Sequence, residues 1–374
     1  MKILVITNLL PHYQIDFFNR LVELYPEIDL TVVADIKYPG SLNSYNKDEC
    51  NFSVVHNRML EFKGLIFRRN ILKIISENPS DRTIFYANPR EITLTFVMVL
   101  LKIQGFPFYA HGMFHRIGGQ RFVSNLYYKL VGGLADKLFI YSRKGADVLL
   151  NLGVKNNKIN IIGTAINERK SQAYLAQILP DKVKQIKKKY NLDGKNIILQ
   201  VVRLSKIKKP ELIVDVAYLL AQERKDFVFV LIGDGEQYEH MRRKIINFGL
   251  DESVIMLGSI YDELELAHWF SMAKLFVIPT CIGLSAHHAF SYGLPVVTDD
   301  NLLEQASEYD ILYDGLNSVI YKSGDIGSFK DSISKIMNDA SLQSFLSRNA
   351  IYTVNKINSL DAKCKRYFYS CVRS

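Results

Sequence analysis

The sequence has 374 residues, 48% of them hydrophobic and 23% charged, which excludes a disordered or fibrous chain and suffices for about two globular domains. Its formal net charge of +9 favours an anionic partner, such as a nucleic acid, an anionic membrane face or a phosphorylated small molecule. The four cysteines show no CxxC spacing, which predicts a reducing compartment and neither a disulfide framework nor a zinc site.

The stretch 1–8 reads as a β-strand and not as a signal peptide, because its apolar run is short and no small-residue cleavage pattern follows. The longest apolar run, 92–101, is about half of the roughly 20 residues that a membrane span needs. We therefore expect a cytoplasmic protein, or one that is peripheral at the inner face of the cell membrane.

Apolar strands and helical patterns alternate through the first half of the chain. Strands are predicted at 2–7, 29–34, 82–86, 106–110, 137–141 and 158–162. Helices are predicted at 12–25, 66–77, 90–104, 121–133 and 143–152. This alternation predicts a parallel sheet with helices on both faces.

A polar, Lys-rich stretch without a strand candidate, 164–194, separates this half from a second series. Strands of that series are predicted at 196–202, 227–232, 253–257, 274–278, 295–298 and 318–321. Helices are predicted at 209–223, 236–248, 262–271, 285–292, 326–338 and 340–354.

The two series predict an α/β chain of two Rossmann-like, doubly wound domains, 1–165 and 166–355, with a hinge near 164–195. Two such domains facing each other form a cleft, and their ligands bind at the carboxyl ends of the strands. The aromatic and basic tail, 356–374, is predicted to be a helix that crosses back to the first domain.

Two basic residues follow a predicted strand of the second series. Arg203 and Lys208 lie on the loop before the next helix, where two cations can clamp a diphosphate. The alternative is a pair of ordinary solvated charges. A tight turn at 233–236, Gly-Asp-Gly-Glu, also joins a strand to a helix, but without a third glycine it is no dinucleotide fingerprint.

A histidine stands at a strand end in the first series. His111 and Gly112 follow the predicted strand 106–110, with His115 and Arg116 close behind. A histidine beside glycine at a carboxyl end is well placed to meet a ligand. The alternative is a histidine bound within its own loop.

The stretch 277–301 combines a strand end, a Gly283-Leu284-Ser285 turn and a short helix that carries His288. The N–H groups and the dipole at such a helix N-terminus favour a phosphate. No His, Cys and Asp cluster has metal-ligand spacing, so no metal is expected. The sequence contains neither a Walker A motif nor Gly-x-Ser-x-Gly.

Together these motifs resemble the family 4 retaining glycosyltransferases of the two-Rossmann-domain (GT-B) type over nearly the whole chain. The segments that carry the resemblance are 201–209, 230–236, 254–260 and 279–298. The resemblance implies transfer of a sugar from a nucleotide-diphosphate donor, a UDP- or GDP-sugar, to a saccharide acceptor. It also implies that the reaction retains the configuration at the anomeric carbon and needs neither a metal nor a cofactor.

The resemblance implies a role for each residue that stands at a position of the family's motifs. The implied catalytic residues are Arg203 and Lys208, which would neutralise the leaving diphosphate, and His111, which would lie beside the donor sugar. The implied donor-binding residues are Gly283, Leu284, Ser285, His288, Glu308, Ser259 and Ile260. The implied acceptor-binding residues are His12, Tyr13, Gln14, His115 and Arg116.

The sequence departs from the family at the Glu-x7-Glu pair. His288 takes the place of the second glutamate, and the first has no equivalent because the loop 279–283 is shorter. A His-bearing variant of the motif is found among polysaccharide and lipopolysaccharide transferases, which often keep a later glutamate that Glu308 matches. The alternative for His288 is a core histidine packed beside Phe290.

The resemblance implies a role in surface polysaccharide, O-antigen or lipopolysaccharide assembly, with a lipid-linked saccharide as acceptor. The segment 63–73 interleaves bases with large apolar residues, which suits an anionic membrane surface, although a solvated helix face explains it equally well. Nucleic acid is not expected, because the basic patches lack interleaved stacking aromatics. The alternative functions are a GT-B-type sugar-nucleotide epimerase or hydrolase and a non-catalytic nucleotide-binding protein.

Overall fold

The computed structural model describes residues 1–36 and 46–372. The chain divides into two compact units. The first comprises Met1–Asn167 together with the C-terminal segment from Leu360, and the second is Glu168–Ser359.

The strands are short, as is usual in parallel α/β sheets. In chain order they are β1 (Lys2–Leu9), β2 (Asp29–Asp35), β3 (Ser53–His56), β4 (Met59–Phe62), β5 (Leu65–Arg68), β6 (Arg82–Tyr86), β7 (Tyr109–Gly112), β8 (Lys137–Ile140), β9 (Ile159–Ile161), β10 (Asn196–Val201), β11 (Phe227–Ile232), β12 (Val254–Gly258), β13 (Leu275–Val277), β14 (Val296–Asp299) and β15 (Ser318–Tyr321).

The α-helices fall mostly between these strands. In chain order they are α1 (His12–Leu24), α2 (Ile71–Glu77), α3 (Ile92–Ile103), α4 (Phe122–Leu134), α5 (Arg143–Asn151), α6 (Glu168–Leu175), α7 (Pro180–Lys189), α8 (Glu211–Glu223), α9 (Tyr238–Asn247), α10 (Glu263–Met272), α11 (Ser285–Ser291), α12 (Ile326–Asn338), α13 (Ala340–Tyr352) and α14 (Leu360–Val372).

The first unit is built on a seven-stranded sheet in the order β3-β2-β1-β6-β7-β8-β9, and all of its paired strands are parallel. Helices α2 to α5 pack on one face and share one core cluster. Helices α1 and α14 pack on the other face in a second cluster. The order reverses between β1 and β6, and ligands of such sheets bind beyond the carboxyl ends at this point.

The second unit has a six-stranded parallel sheet in the order β12-β11-β10-β13-β14-β15. Its strands are buried on both faces, so they read as continuous apolar runs; in β11 all six residues are buried. The order reverses between β10 and β13. The predicted α/β class with two doubly wound sheets is confirmed.

The segment 63–73 is not a helix, which corrects the prediction of a helix at 66–77. Lys63 and Gly64 form the turn of an antiparallel hairpin, β4–β5, and the helix begins only at Ile71. The reason is long-range: Arg68 is fully buried, and its guanidinium pairs with the buried Glu91 carboxylate at 2.8 Å. This segment therefore gives no basic helical face for a membrane.

One further prediction needs correction. The strand expected at 106–110 is β7, which begins at Tyr109, because Phe106 and Pro107 are exposed. The short strand β3 was not predicted from the sequence. The stretch 164–194, in which no strand was predicted, contains α6 and α7. Among the described residues, no helix is long and apolar enough to cross a membrane.

Candidate functional site

The switch point of the second sheet brings two loops together. β10 and β13 are hydrogen-bonded neighbours, so the loop after Val201 and the loop after Val277 leave the same edge of the sheet. The first loop carries Arg203 and Lys208, and the second carries Gly283 to Ser285. The topology therefore places most of the predicted donor-binding residues at one edge.

Lys208 connects the two loops. It ends a 3₁₀ turn, Lys206–Lys208, and its Nζ donates to the Cys281 carbonyl oxygen at 2.6 Å. A Cβ atom on Gly283 would lie 3.9 Å from the same Nζ. Burial lowers the pKa of Lys208, and the nearby Cys281 and Glu308 oppose this shift. A desolvated ammonium group of this kind gains most from an anionic ligand, because the anion replaces lost solvation.

The turn 233–236 follows β11, the strand next to β10, and its two glycines contact the loop that carries Arg203. Leu204 N–H donates to the Asp234 carbonyl, and a Cβ on Gly235 would lie 2.4 Å from the Leu204 carbonyl oxygen. Gly233 N–H donates to the Gly258 carbonyl at 2.7 Å. The turn 233–236 thus holds the Arg203 loop through backbone contacts. Only glycine lets the two backbones come this close.

A buried glutamine, which sequence reasoning missed, supports the second loop. The Gln305 side-chain oxygen accepts from Ile282 N–H at 2.9 Å, and its amide donates to the Asp299 carboxylate at 2.7 Å. Tyr321 Oη donates to the Pro279 carbonyl at 2.7 Å. No local sequence pattern identifies Gln305, because its partners lie on other elements.

Helix α11 follows this loop and has only seven residues. Within the described ranges, the amides of Gly283 and Leu284 donate to no protein acceptor. Ser285 then opens the helix, whose first N–H groups lack intrahelical acceptors. These amides stand beside the Lys208 ammonium, so the loop offers donors and a cation at one place.

The two adjacent histidines of α11 lie on different sides of the helix. His287 is 1% exposed and is the core histidine, whereas His288 is partly exposed. The alternative of a core histidine beside Phe290 therefore applies to His287. Burial still lowers the pKa of His288 to about 4, so its imidazole is neutral at physiological pH.

The remaining residues predicted to contact the donor lie on loops of the second unit. Glu308, on the 3₁₀ turn Ser307–Ile311, is half-buried near Lys208. Arg203 is exposed, and its side chain has no hydrogen-bond or ion-pair partner in the part of the chain that the structure describes. Ser259 is exposed after β12, while Ile260 lines a cavity of about 240 Å³ beside Trp269.

In the first unit, His111 lies in β7 at the carboxyl edge. Its Nδ1 is 2.9 Å from Tyr141 Oη, and its ring contacts that of Tyr86 edge-on. Its buried Nε2 has no protein hydrogen-bond partner among the described residues. Burial, helped by the charge of Lys363, lowers the pKa of His111 to about 3, so it acts as a neutral imidazole.

His115 and Arg116 follow on the loop after β7. His115 Nδ1 is 3.0 Å from the Met113 carbonyl oxygen, so its own loop fixes it. Burial lowers its pKa to about 4, with the charge of Lys144 adding to the effect. Arg116 is half-buried, and its Nε has no acceptor in the described part of the chain.

Three of the predicted acceptor-binding residues begin a helix. His12, Tyr13 and Gln14 form the first turn of α1, where Gln14 N–H donates to the Pro11 carbonyl at 2.8 Å. His12 and Tyr13 are exposed, and the buried Oε1 of Gln14 has no donor within the described residues. The missed Arg68 fixes the strand before this turn, because its Nη2 donates to the Thr7 carbonyl at 2.9 Å.

No group of three or more His, Cys, Asp or Glu side chains in residues 1–36 and 46–372 could hold a metal ion. Residues 182–352, which lie within the second unit, match the family model described as Glycosyl transferases group 1. The second unit therefore resembles a group 1 glycosyltransferase domain. Lys208, the Gly283 loop and Glu308 all belong to it.

Similar proteins agree with this assignment. A Campylobacter jejuni N,N'-diacetylbacillosaminyl-diphospho-undecaprenol alpha-1,3-N-acetylgalactosaminyltransferase is 28% identical over 62% of this chain and 58% of its own length. Across the curated relatives that it matches, the chain spans between 39% and 58% of their length.

Solved structures resemble the whole chain. Anabaena HepE in complex with UDP superposes with a TM-score of 0.75, at 15% identity and 99% coverage of both chains. The lipopolysaccharide outer core galactosyltransferase WaaB superposes with a TM-score of 0.69, at 13% identity and 99% coverage of both. At these identities the likeness shows the fold, which is GT-B.

Proposed function

We propose that the protein transfers a sugar from a nucleotide-diphosphate donor, a UDP- or GDP-sugar, to a saccharide acceptor with retention at the anomeric carbon. The observation that carries the proposal is the half-buried Lys208 ammonium beside the amides of Gly283 and Leu284, which donate to no acceptor in the described ranges, within the unit that matches the group 1 glycosyltransferases. Structures of HepE with UDP and with UDP-glucose support this type of donor.

The reaction breaks the bond between the anomeric carbon and the diphosphate, so negative charge develops on the leaving phosphate oxygen. Lys208 and Arg203 offset that charge, and the loop amides donate hydrogen bonds to the same phosphate. These protein donors replace a metal in the proposal. The leaving phosphate oxygen takes the acceptor hydroxyl's proton, so the step needs no strong general base.

His111 has a distinct role in this proposal. With a pKa of about 3 it is neutral, so it neither repels oxocarbenium-like charge nor protonates the leaving group at neutral pH. Its unpartnered Nε2 serves as a hydrogen-bonding atom for the donor sugar. His288 likewise contacts the donor as a neutral imidazole, in the place of the family's second glutamate, while Glu308 stays near Lys208.

The proposed acceptor is a lipid-linked saccharide in surface polysaccharide, O-antigen or lipopolysaccharide assembly at the inner face of the cell membrane. The name of the Campylobacter relative specifies a diphospho-undecaprenol acceptor, and WaaB is a lipopolysaccharide outer core transferase. His12, Tyr13, Gln14, His115 and Arg116 are the proposed acceptor contacts. Mass spectrometry of products made from lipid-linked and from free saccharides tests this choice.

Substitution of the two cations tests the proposed transfer. Arg203→Ala/Lys208→Ala is expected to lower kcat/KM by about 10²- to 10³-fold, because the leaving group loses its charge stabilisation. The matched control is Lys206→Ala, since Lys206 is exposed on the same 3₁₀ turn. Near-wild-type turnover in the double variant would contradict the proposal. Incubation with donor alone separates transfer from hydrolysis or epimerisation, which need no acceptor.

A further inference from the structure

The solvent-facing side of α4 is apolar. Phe122, Val123, Leu126 and Leu130 recur at helical spacing on the side that points away from the core, and Phe122 is 81% exposed. A surface helix of a globular protein normally turns charged or polar residues to that side. The opposite side of α4 packs into the core of the first unit, so the exposed apolar residues are not the helix's core stripe.

Helix α3 has the same property. Ile92, Phe96 and Ile103 point outward, with Phe96 62% and Ile103 80% exposed, and Phe106 follows in the next loop at 59%. The right-handed crossovers β6-α3-β7 and β7-α4-β8 place both helices on the same face of the sheet. They therefore form one continuous surface, which we call the α3–α4 face: Ile92, Phe96, Ile103, Phe106, Phe122, Val123, Leu126 and Leu130.

The segment that carries the α3–α4 face is basic. Residues 92–135 contain no Asp or Glu but four bases, Lys102, Arg116, Arg121 and Lys129. Arg121 precedes α4 and Lys129 lies on its outward side, and both are exposed. Lys102 is paired with the Asp136 carboxylate at 2.8 Å, which leaves Arg121 and Lys129 as the exposed bases beside the apolar residues of α4. Exposed apolar area beside such bases is the composition of a helix that lies in the interface of an anionic membrane.

We propose that the α3–α4 face docks the protein on an anionic lipid bilayer. Its apolar side chains enter the boundary between headgroups and acyl chains, and Arg121 and Lys129 contact lipid phosphates. A second copy of the chain fits this surface less well. Stacking two such faces would oppose like charges without a carboxylate of residues 92–135 to pair them.

This surface is distinct from the segment 63–73 and lies on the first unit, whereas the predicted donor-binding residues belong to the second unit. It does not depend on the proposed transfer activity. If the acceptor is lipid-linked, docking through this face would hold the first unit at the membrane that contains the acceptor.

Vesicle flotation of the full chain tests the proposal. We expect co-flotation with phosphatidylcholine–phosphatidylglycerol vesicles at low salt, and weaker binding at high salt or to phosphatidylcholine alone. Phe122→Glu/Leu126→Glu is expected to lower the partition coefficient by about tenfold or more. The matched control is Ile246→Glu/Tyr352→Glu, which adds the same charge at two exposed apolar residues of the second unit and should bind like wild type.

Three results would overturn the proposal: no flotation of the wild type at low salt, equal flotation of Phe122→Glu/Leu126→Glu, or a dimer by light scattering that this variant dissociates without any vesicle binding. If the α4 variant fails to fold by circular dichroism, Phe96→Gln/Ile103→Gln on α3 makes the same test. UDP binding by calorimetry reports separately on the proposed function. It should be unchanged in every variant, and its absence in the wild type would count against the transfer reaction alone.

Discussion

At the scale of single residues, the candidate site residues of each unit include basic groups that the fold has desolvated. Burial lowers the pKa of His111 to about 3, and those of His115 and His288 to about 4. Burial also lowers the pKa of Lys208. Three neutral imidazoles can accept or donate hydrogen bonds without repelling a cationic transition state, and one desolvated ammonium strengthens any contact with a phosphate.

The lowered pKa of His111 predicts a loss of stability in acid. Its ordinary pKa is 6.5 and its folded pKa is about 3, so between these values the unfolded chain binds a proton that the folded chain does not. The free energy of unfolding therefore falls as the pH falls through this window, by about 1.4 kcal/mol per pH unit for this group.

His111→Asn should remove that dependence while keeping a polar group near Tyr141. On going from pH 7 to about pH 5, we expect the variant to lose about 2 kcal/mol less stability than the wild type, measured by denaturant unfolding. His240→Asn, at an exposed position of α9, is the control and should follow the wild type. Identical acid sensitivity in His111→Asn and wild type would show that His111 is not the titrating group.

At the scale of elements, the candidate site of the second unit is built from three loops. Hydrogen bonds from the backbone and from side chains hold these loops together. Gly235 is a point of close backbone approach, because an added Cβ would lie 2.4 Å from the Leu204 carbonyl oxygen. Gly235→Ala should therefore displace the loop that carries Arg203 and Lys208. We expect UDP binding, measured by calorimetry, to weaken by about tenfold or more.

Gly249→Ala is the matched control for this prediction. Gly249 also has a positive φ, 63°, but no heavy atom lies within 4 Å of the added Cβ. It should cost about 1 kcal/mol of stability through backbone strain and leave UDP binding unchanged. Equal effects of the two substitutions on UDP binding would mean that the Leu204 contact does not position the loop.

Local patterns predicted most of the elements because parallel strands buried on both faces, such as β11, are continuous apolar runs. The hairpin β4–β5 was missed because its cause is the distant Glu91, which draws Arg68 into the core. The sequence could not show which of His287 and His288 is buried. Adjacent residues point to different sides of a helix, and only the packing of the fold determines which side faces the core. Gln305 was missed because its partners, Ile282 and Asp299, are assembled only by the fold.

At the scale of the whole molecule, the chain leaves the first unit after Asn167 and returns to it at Leu360. The returning helix α14 looks basic and aromatic in sequence, yet Tyr367 and Cys371 on it are buried in the first unit. Arg20 of α1 binds the Asp361 carboxylate through two hydrogen bonds, at 2.6 and 3.0 Å. The folding of the first unit therefore requires a segment that is made after the second unit.

Tyr367 tests how much the first unit depends on this helix. Its ring packs between Phe17 and Phe139, with centroids 5.3 and 5.0 Å away, and its buried hydroxyl has no hydrogen-bond partner in residues 1–36 or 46–372. Tyr367→Ala should leave a large cavity and cost about 3–5 kcal/mol in denaturant unfolding. Tyr367→Phe removes only the unpaired hydroxyl, so its stability should equal or exceed that of the wild type. Because the residue lies outside the second unit, both variants should still bind UDP under native conditions. A large loss of stability in Tyr367→Phe would instead show that the hydroxyl has a hydrogen-bonding partner, such as a buried water.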